Sequence, residues 1–238
     1  MPKIIIYDFD GTLTPNPVAD LEILEKCGYE KPTCNFEYIN KVTKKIKDEN
    51  MNIYEATYKT YIETVKNSNY KLINENIALG ADKFKYNKGF FEFLDYTNNK
   101  NVKNYIVSSS LKVLLDNTKV ASLFEDIYAT TFKYDDNIVT DIDYLLTDVE
   151  KVNVIKEILS LNNLDNCNDV IYIGDGLTDY PAMEYVTKNG GHAIYIYYDE
   201  FDKNLEIMKD KGIVSIFSDA DYTKDGLIYS SINKIFNF

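Results

Sequence analysis

Four aspartates and a lysine are the residues of this 238-residue chain whose types and spacing could do chemistry. Asp8 and Asp10, separated by one residue, stand directly after the apolar run Ile4-Ile5-Ile6-Tyr7 and before Gly11-Thr12. Two carboxylates so spaced suit a division of labour. One can attack an electrophile such as phosphorus while the other exchanges a proton with the leaving group or with water. Two anions facing an anionic phosphate require a cation, and Mg²⁺ fits because it takes a few carboxylate or carbonyl oxygens and keeps positions for water and phosphate. For the dipeptide taken alone, the alternative is an Asp-Gly turn with a solvated acid beside it.

Three later stretches carry the same character. Val170-Ile171-Tyr172-Ile173 ends in Gly174-Asp175-Gly176, with Asp179 at the start of a predicted helix. Asp179 either caps that helix or orients metal-bound water and a neighbouring lysine. Tyr105-Ile106-Val107 ends in Ser108-Ser109-Ser110, ahead of the helical run Leu111 to Leu115. Hydroxyls and backbone N–H groups at a helix start form an anion cradle, although serine is also an ordinary cap. Lys151 falls in the first turn of a helix capped at Thr147 or Asp148, where a positive charge opposes the helix dipole. It needs an anion nearby or it faces solvent.

These residues must be positioned by strands. The near-continuous apolar runs at 3–7, 104–107 and 169–173 read as strands buried on both faces of a parallel sheet, where ligands bind beyond the carboxyl ends. Between Pro17 and Tyr86 helical stripes replace strands: Val18, Leu21, Leu24 and Cys27; Phe36, Ile39, Val42 and Ile46; Ile53, Tyr54, Tyr58, Tyr61, Ile62 and Val65; and Tyr70, Ile73 and Ile77. Most of these residues read as core. After Gly89 come a helix from Phe90, a short strand at 127–130, a hairpin at 132–140 and a helix on Val152, Ile155, Ile158 and Leu159. Strands at 192–197 and 213–217 and helices at 203–211 and 227–236 complete the pattern. The expected organisation is a core of residues 1–14 and 89–238 with a helical lid at 15–88, hinged near 14–17 and 85–89.

Composition narrows the function classes. A net charge of −12 argues against nucleic acid as a partner. Every basic residue is lysine, so no guanidinium is available to clamp a carboxylate or phosphate. Residues 14–88 hold 12 lysines against 11 acids, which concentrates the acid surplus in the core. Lys residues on the lid are mostly solvated, with some available to a substrate anion. The one histidine, His192, opens a predicted strand, and Cys27, Cys34 and Cys167 show no CxxC spacing. Carboxylates and lysine must therefore carry the proton chemistry. No apolar run reaches membrane-spanning length, and Asp8 and Asp10 interrupt any signal-like segment, so a soluble cytoplasmic protein is expected.

In order along the chain, Asp8-Phe9-Asp10-Gly11-Thr12, Ser108, Lys151 and Gly174-Asp175-Gly176-Leu177-Thr178-Asp179 resemble the four motifs of the haloacid dehalogenase-like hydrolase superfamily. The helical insert resembles the C1-type cap of its phosphoserine phosphatase-like branch. The resemblance implies an α/β Rossmann-like parallel sheet with helices on both faces, an inserted all-helical cap, Mg²⁺ and a phosphoaspartyl intermediate. It implies Asp8 as nucleophile and metal ligand, and Asp10 as general acid/base that lends its backbone carbonyl to the metal. Asp175 would complete the metal site, with Thr12 and Asp179 supporting it. Gly11, Ser108, Ser109, Lys151 and Thr178 would hold the phosphoryl group. The implied activity is hydrolysis of a small phosphorylated metabolite. Ser109-Ser110 stands where that branch usually carries two glycines, Thr178 where asparagine is common, and the missing arginine argues against phosphoserine as substrate. The alternatives are a phosphotransferase or mutase of the same chemistry, and a non-catalytic phosphate-binding or receiver-like module.

Overall fold

The computed structural model describes residues 1–15, 36–66, 73–199, 201 and 203–238. They form β1 (Lys3–Tyr7), α1 (Phe36–Asp48), α2 (Ile53–Lys66), α3 (Asn74–Ala78), α4 (Phe90–Asn99), β2 (Val102–Leu111), α5 (Lys112–Asp116), β3 (Asp126–Asp135) and β4 (Ile138–Tyr144). There follow α6 (Asp148–Leu161), β5 (Val170–Gly174), α7 (Tyr180–Lys188), β6 (His192–Tyr197), α8 (Lys203–Lys211), β7 (Ile216–Asp219) and α9 (Leu227–Phe236).

The strands join in the order β4-β3-β2-β1-β5-β6-β7. Every pair is parallel except β3 with β4. β1 lies at the centre, and Ile4, Ile5 and Ile6 are all fully buried, which is why its sequence does not alternate. Period-two geometry sorts its side chains. Ile5 and Tyr7 meet Ile106, Ile171 and Ile194 in one layer under α4 and α9, while Ile4 and Ile6 meet Tyr105, Val107 and Tyr172 in the other under α6, α7 and α8. This is the expected Rossmann-like sheet covered on both faces.

Between β1 and β2, α2 packs against the edge strand β4. Tyr58, Tyr61, Ile62 and Val65 of α2 join the first layer, and the Tyr58 ring meets Phe132 of β3 edge-on at 5.7 Å. The hairpin beneath is longer than the expected 132–140. Its two-residue turn, Asp136-Asn137, has φ of 46° and 66°, the left-handed pair that a twisted hairpin favours.

Four local expectations shift. The Phe36 to Ile46 stripe forms a helix, yet Ile39 and Ile46 stay 41% and 36% exposed. The stripe at Val18 to Cys27, and Tyr70 of the last one, lie outside the described residues. Around Ile73 and Ile77 only a five-residue helix forms, with Ile77 its buried residue. The three serines lie within β2 rather than at a helix cap. Pairing with β3 shifts register between Val107 and Leu111, and α5 starts only at Lys112 with no side-chain cap. The strand's demand for paired backbone groups outweighs the capping tendency of serine here. Finally, β7 begins at Ile216 rather than at residue 213. No helix among the described residues is long and apolar enough to cross a membrane.

Candidate active site

Because β2, β1 and β5 run parallel and side by side, the residues after their carboxyl ends are brought together. The Asp8 N–H donates to the Ile173 carbonyl at 2.9 Å, extending the ladder one residue past β1 and aiming the Asp8 carboxylate at the crevice. The chain then turns sharply. Gly11 has φ +75°, and the Leu13 N–H returns to the Phe9 carbonyl at 2.8 Å. A Cβ on Gly11 would come within 2.0 Å of Asp175 Oδ2, so glycine is what lets this turn and Asp175 share the space. Thr12 Oγ1 donates to Asp175 Oδ1 at 3.2 Å. Asn87 Nδ2 and the Tyr222 hydroxyl both donate to the Thr12 carbonyl, at 2.8 and 3.0 Å, and hold the turn from behind. The Asn87 N–H also donates to the Leu13 carbonyl at 2.9 Å, tying together the two chain segments that bound the inserted helices.

Lys151 reaches the site from α6, whose start is fixed by Thr147 Oγ1 accepting the Glu150 N–H at 3.4 Å. It is 1% exposed, so its charge faces anions rather than solvent. Its Nζ donates to Asp8 Oδ1 at 2.9 Å and to Asp179 Oδ1 at 2.7 Å. Burial alone would lower the pKa of this ammonium, but the carboxylates of Asp179 and Asp8 outweigh burial and hold it well above the usual lysine value.

Asp179 is fully buried and does not cap α7. Its Oδ1 accepts from Lys151 and from the Tyr172 hydroxyl at 2.7 Å, and its Oδ2 accepts the N–H groups of Asp175 and Gly176 at 3.2 and 3.0 Å. Four donors thus converge on one carboxylate, which fixes both the lysine and the backbone that carries Asp175.

Asp8, Asp175 and Asp179 each offer an oxygen within 4.8 Å of the others. Asp179 is committed to its four donors, so Asp8 and Asp175 are the carboxylates with capacity for a metal. Burial, with Lys151 opposing it and Asp179 and Asp10 adding to it, pushes the Asp8 acid up to about 7. Burial, then Asp8 and Asp179, pushes Asp175 up to about 8. Four carboxylates against one ammonium, all oxygen donors, make a site that fits a hard divalent cation such as Mg²⁺. Asp10, whose carboxylate Oδ2 accepts a hydrogen bond from Ser110 Oγ, faces the same crevice.

A cavity of about 230 Å³ opens at this point. Asp8, Asp10, Ser108, Ser109, Lys151, Asp175 and Thr178 line it, so most of the residues singled out in the sequence share one pocket. Gly11, Thr12 and Asp179 stand behind that wall and act on Asp175 instead. His192 opens β6 away from the cavity, and Cys167 is buried with its thiol pushed up to about 11, an unreactive state. Sequence reasoning missed several contributors: Ser110, Tyr172, Asn87, Tyr222, and Tyr54, Thr57 and Tyr58, which α2 adds to the cavity wall. Tyr54 and Tyr58 fall at helical spacing inside an apolar stripe, a pattern that reads as core. Ser110 carried a signal in its triplet.

Solved structures share this fold at low identity. A phosphoserine phosphatase in apo form superposes with a TM-score of 0.66 at 19% identity, over 100% of this chain and 99% of that one. A phospho-aspartyl intermediate analogue of phosphoserine phosphatase gives 0.64 at 21%, over 91% and 92%. Cytosolic 5′-nucleotidase IIIB bound to cytidine gives 0.63 at 16%, over 99% and 86%. Among curated proteins, none matches the chain. The sequence profile of the haloacid dehalogenase-like hydrolases matches residues 5–184, which takes in Asp8, Ser108, Lys151, Asp175 and Asp179 alike. The chain belongs to the haloacid dehalogenase-like hydrolase family.

Proposed function

We propose that the protein is a Mg²⁺-dependent phosphatase that hydrolyses a small or medium phosphomonoester through a phosphoaspartyl intermediate on Asp8. The observation that carries this reading is the Asp8 carboxylate, buried at the cavity floor and held by Lys151 at 2.9 Å. A carboxylate fixed in this way is poised for in-line attack on phosphorus. Attack by the Asp8 oxygen forms the acyl phosphate as the ester P–O bond breaks, and Asp10 gives the leaving alkoxide its proton. Water then loses a proton to Asp10 and attacks the phosphorus, releasing phosphate and restoring Asp8. Ser108, Ser109 and Thr178 supply hydroxyl and backbone donors to the phosphoryl oxygens, and Lys151 offsets charge on Asp8. Asp8, the Asp10 carbonyl and Asp175 would hold Mg²⁺, which when bound supplies the positive charge that lets buried carboxylates and a phosphate coexist.

The proposed architecture is a core of residues 1–14 and 89–238 with residues 15–88 as a cap that opens for substrate entry. Among the described residues lining the cavity, the cation is Lys151, already shared between Asp8 and Asp179, so a substrate carboxylate finds no counter-charge there. This favours esters other than phosphoserine. The test is a panel of phosphate esters assayed for released phosphate with and without Mg²⁺, beside Asp8→Asn. Metal-dependent release by the wild type and a fall of at least about a thousandfold in the variant are expected. Near-normal release by Asp8→Asn would overturn the mechanism.

A further inference from the structure

α2 brings a second kind of group to the cavity. Tyr58 and Tyr54 lie one helical turn apart on the same face. Tyr58 is committed: its hydroxyl donates to the Ser109 carbonyl at 2.8 Å, and Thr130 Oγ1 donates to that same carbonyl at 2.9 Å. This pins α2 to the end of β2 and fixes where Tyr54 stands. Tyr54 lines the cavity together with Asp8, Lys151, Ser109 and Thr178. Ser109 Oγ is buried there with no partner within 3.5 Å, although it lies near enough to the Tyr54 phenol to act on it. A buried hydroxyl left unpaired is costly, and such a group beside a polar cavity points to a ligand that supplies the missing partner.

The electrostatics of Tyr54 fit the same location. Burial raises its phenol above the ordinary value, against the Thr178 hydroxyl, the Lys151 charge and the Ser109 hydroxyl, while Asp8 adds to the rise. The phenol therefore stays protonated at neutral pH and remains a donor. It stands among the nucleophile, its lysine and the two hydroxyls proposed to hold phosphoryl oxygens.

Building on the phosphatase reading, we propose that Tyr54 completes the phosphoryl subsite from the inserted helices, donating its hydroxyl to a non-bridging phosphoryl oxygen opposite Ser109. The pocket for the phosphoryl group is then assembled from two parts of the chain, and an ester is gripped fully only when α2 lies over it.

The test compares wild type with Tyr54→Phe, which keeps the ring and removes the donor. With Mg²⁺ present, inhibition by orthovanadate and calorimetric binding of inorganic phosphate are measured, together with kcat/KM on several esters. A lost hydrogen bond to a charged group corresponds to roughly a tenfold or larger weakening. The expected result is that loss for orthovanadate and phosphate, with kcat/KM falling by a similar factor on every ester whatever its alcohol. Tyr54→Leu, measured in parallel, should weaken both anions at least as much. Unchanged orthovanadate and phosphate affinity in Tyr54→Phe would overturn the proposal, as would a loss confined to particular esters, which would place the hydroxyl on the leaving group. Phosphate calorimetry keeps the two readings apart. A wild type that binds phosphate but hydrolyses no ester would refute the reaction while leaving the Tyr54 contact measurable.

Discussion

Replacing Asp179 by asparagine isolates the group on which the site's geometry rests. The carboxylate accepts from Lys151, Tyr172 and the N–H groups of Asp175 and Gly176, so all its partners are donors. An asparagine presents one oxygen and one NH₂, and in either orientation the NH₂ faces donors. The better orientation keeps the oxygen on the two backbone N–H groups and lets the Tyr172 hydroxyl rotate to accept. Lys151 then loses one of its two carboxylates and meets an amide nitrogen. Breaking a buried ion pair by removing one partner costs about 3–5 kcal/mol. Asp8 still holds the ammonium, and less repulsion falls on Asp8 and Asp175, which places the expected loss near the lower end, ~3 kcal/mol. For a chain of this size each kcal/mol moves the melting temperature by about 2–4 °C, so Asp179→Asn should melt roughly 6–12 °C lower than wild type at neutral pH without Mg²⁺. Tyr172→Phe removes one donor and leaves the carboxylate in place, so it should cost only about 1 kcal/mol. If Asp179→Asn melted within 2 °C of wild type, or above Tyr172→Phe, the claim that this carboxylate anchors the site would be wrong.

Two further outcomes follow from the same geometry. Gly11→Ala combines left-handed strain of about 1–2 kcal/mol with a Cβ that displaces the Asp175 carboxylate. A displacement near 1 Å costs on the order of a hundredfold in turnover, and a Mg²⁺ titration of activity should show its midpoint raised. Stability of the metal-free protein should depend on pH through Asp8 and Asp175, raised from 3.8 to about 7 and about 8. Between those limits the folded state binds more protons than the unfolded chain, so stability is greatest at the acid end and falls as pH rises towards 8. Mg²⁺ should flatten this slope because it favours the ionised carboxylates; melting temperatures across the range with and without the ion check both statements, and a metal-free slope of opposite sign would contradict them.

The scaffold was largely legible because each strand that matters is buried on both faces. Ile4-Ile5-Ile6 and Val170-Ile171-Tyr172-Ile173 have no polar alternation to confuse them with surface segments. α6 announced itself through Thr147, whose hydroxyl does take the Glu150 N–H. For the serines the pattern points to the right strand end but the wrong backbone state, since a triplet of small hydroxyl residues suits an irregular strand as well as a cap. Locally Asp179 reads equally as a helix cap or as a carboxylate orienting a neighbouring lysine; the partners that decide between them, Lys151 and Tyr172, arrive through tertiary contacts. Tyr54 and Tyr58 read as core in the sequence because an aromatic at helical spacing carries the same pattern whether its hydroxyl meets solvent, backbone or a substrate. Burial does describe Tyr58, but its hydroxyl spans to Ser109, a partner far away in sequence.

The most direct measurement is chemical trapping of the carboxylate during turnover. Wild-type protein turning over a phosphate ester with Mg²⁺ is quenched and reduced with borohydride, which converts an aspartyl phosphate to homoserine, and the N-terminal peptide is read by mass spectrometry. Homoserine at position 8, absent without ester or without Mg²⁺, is the predicted result. Sustained phosphate release with Asp8 unmodified in every quenched sample would contradict the account.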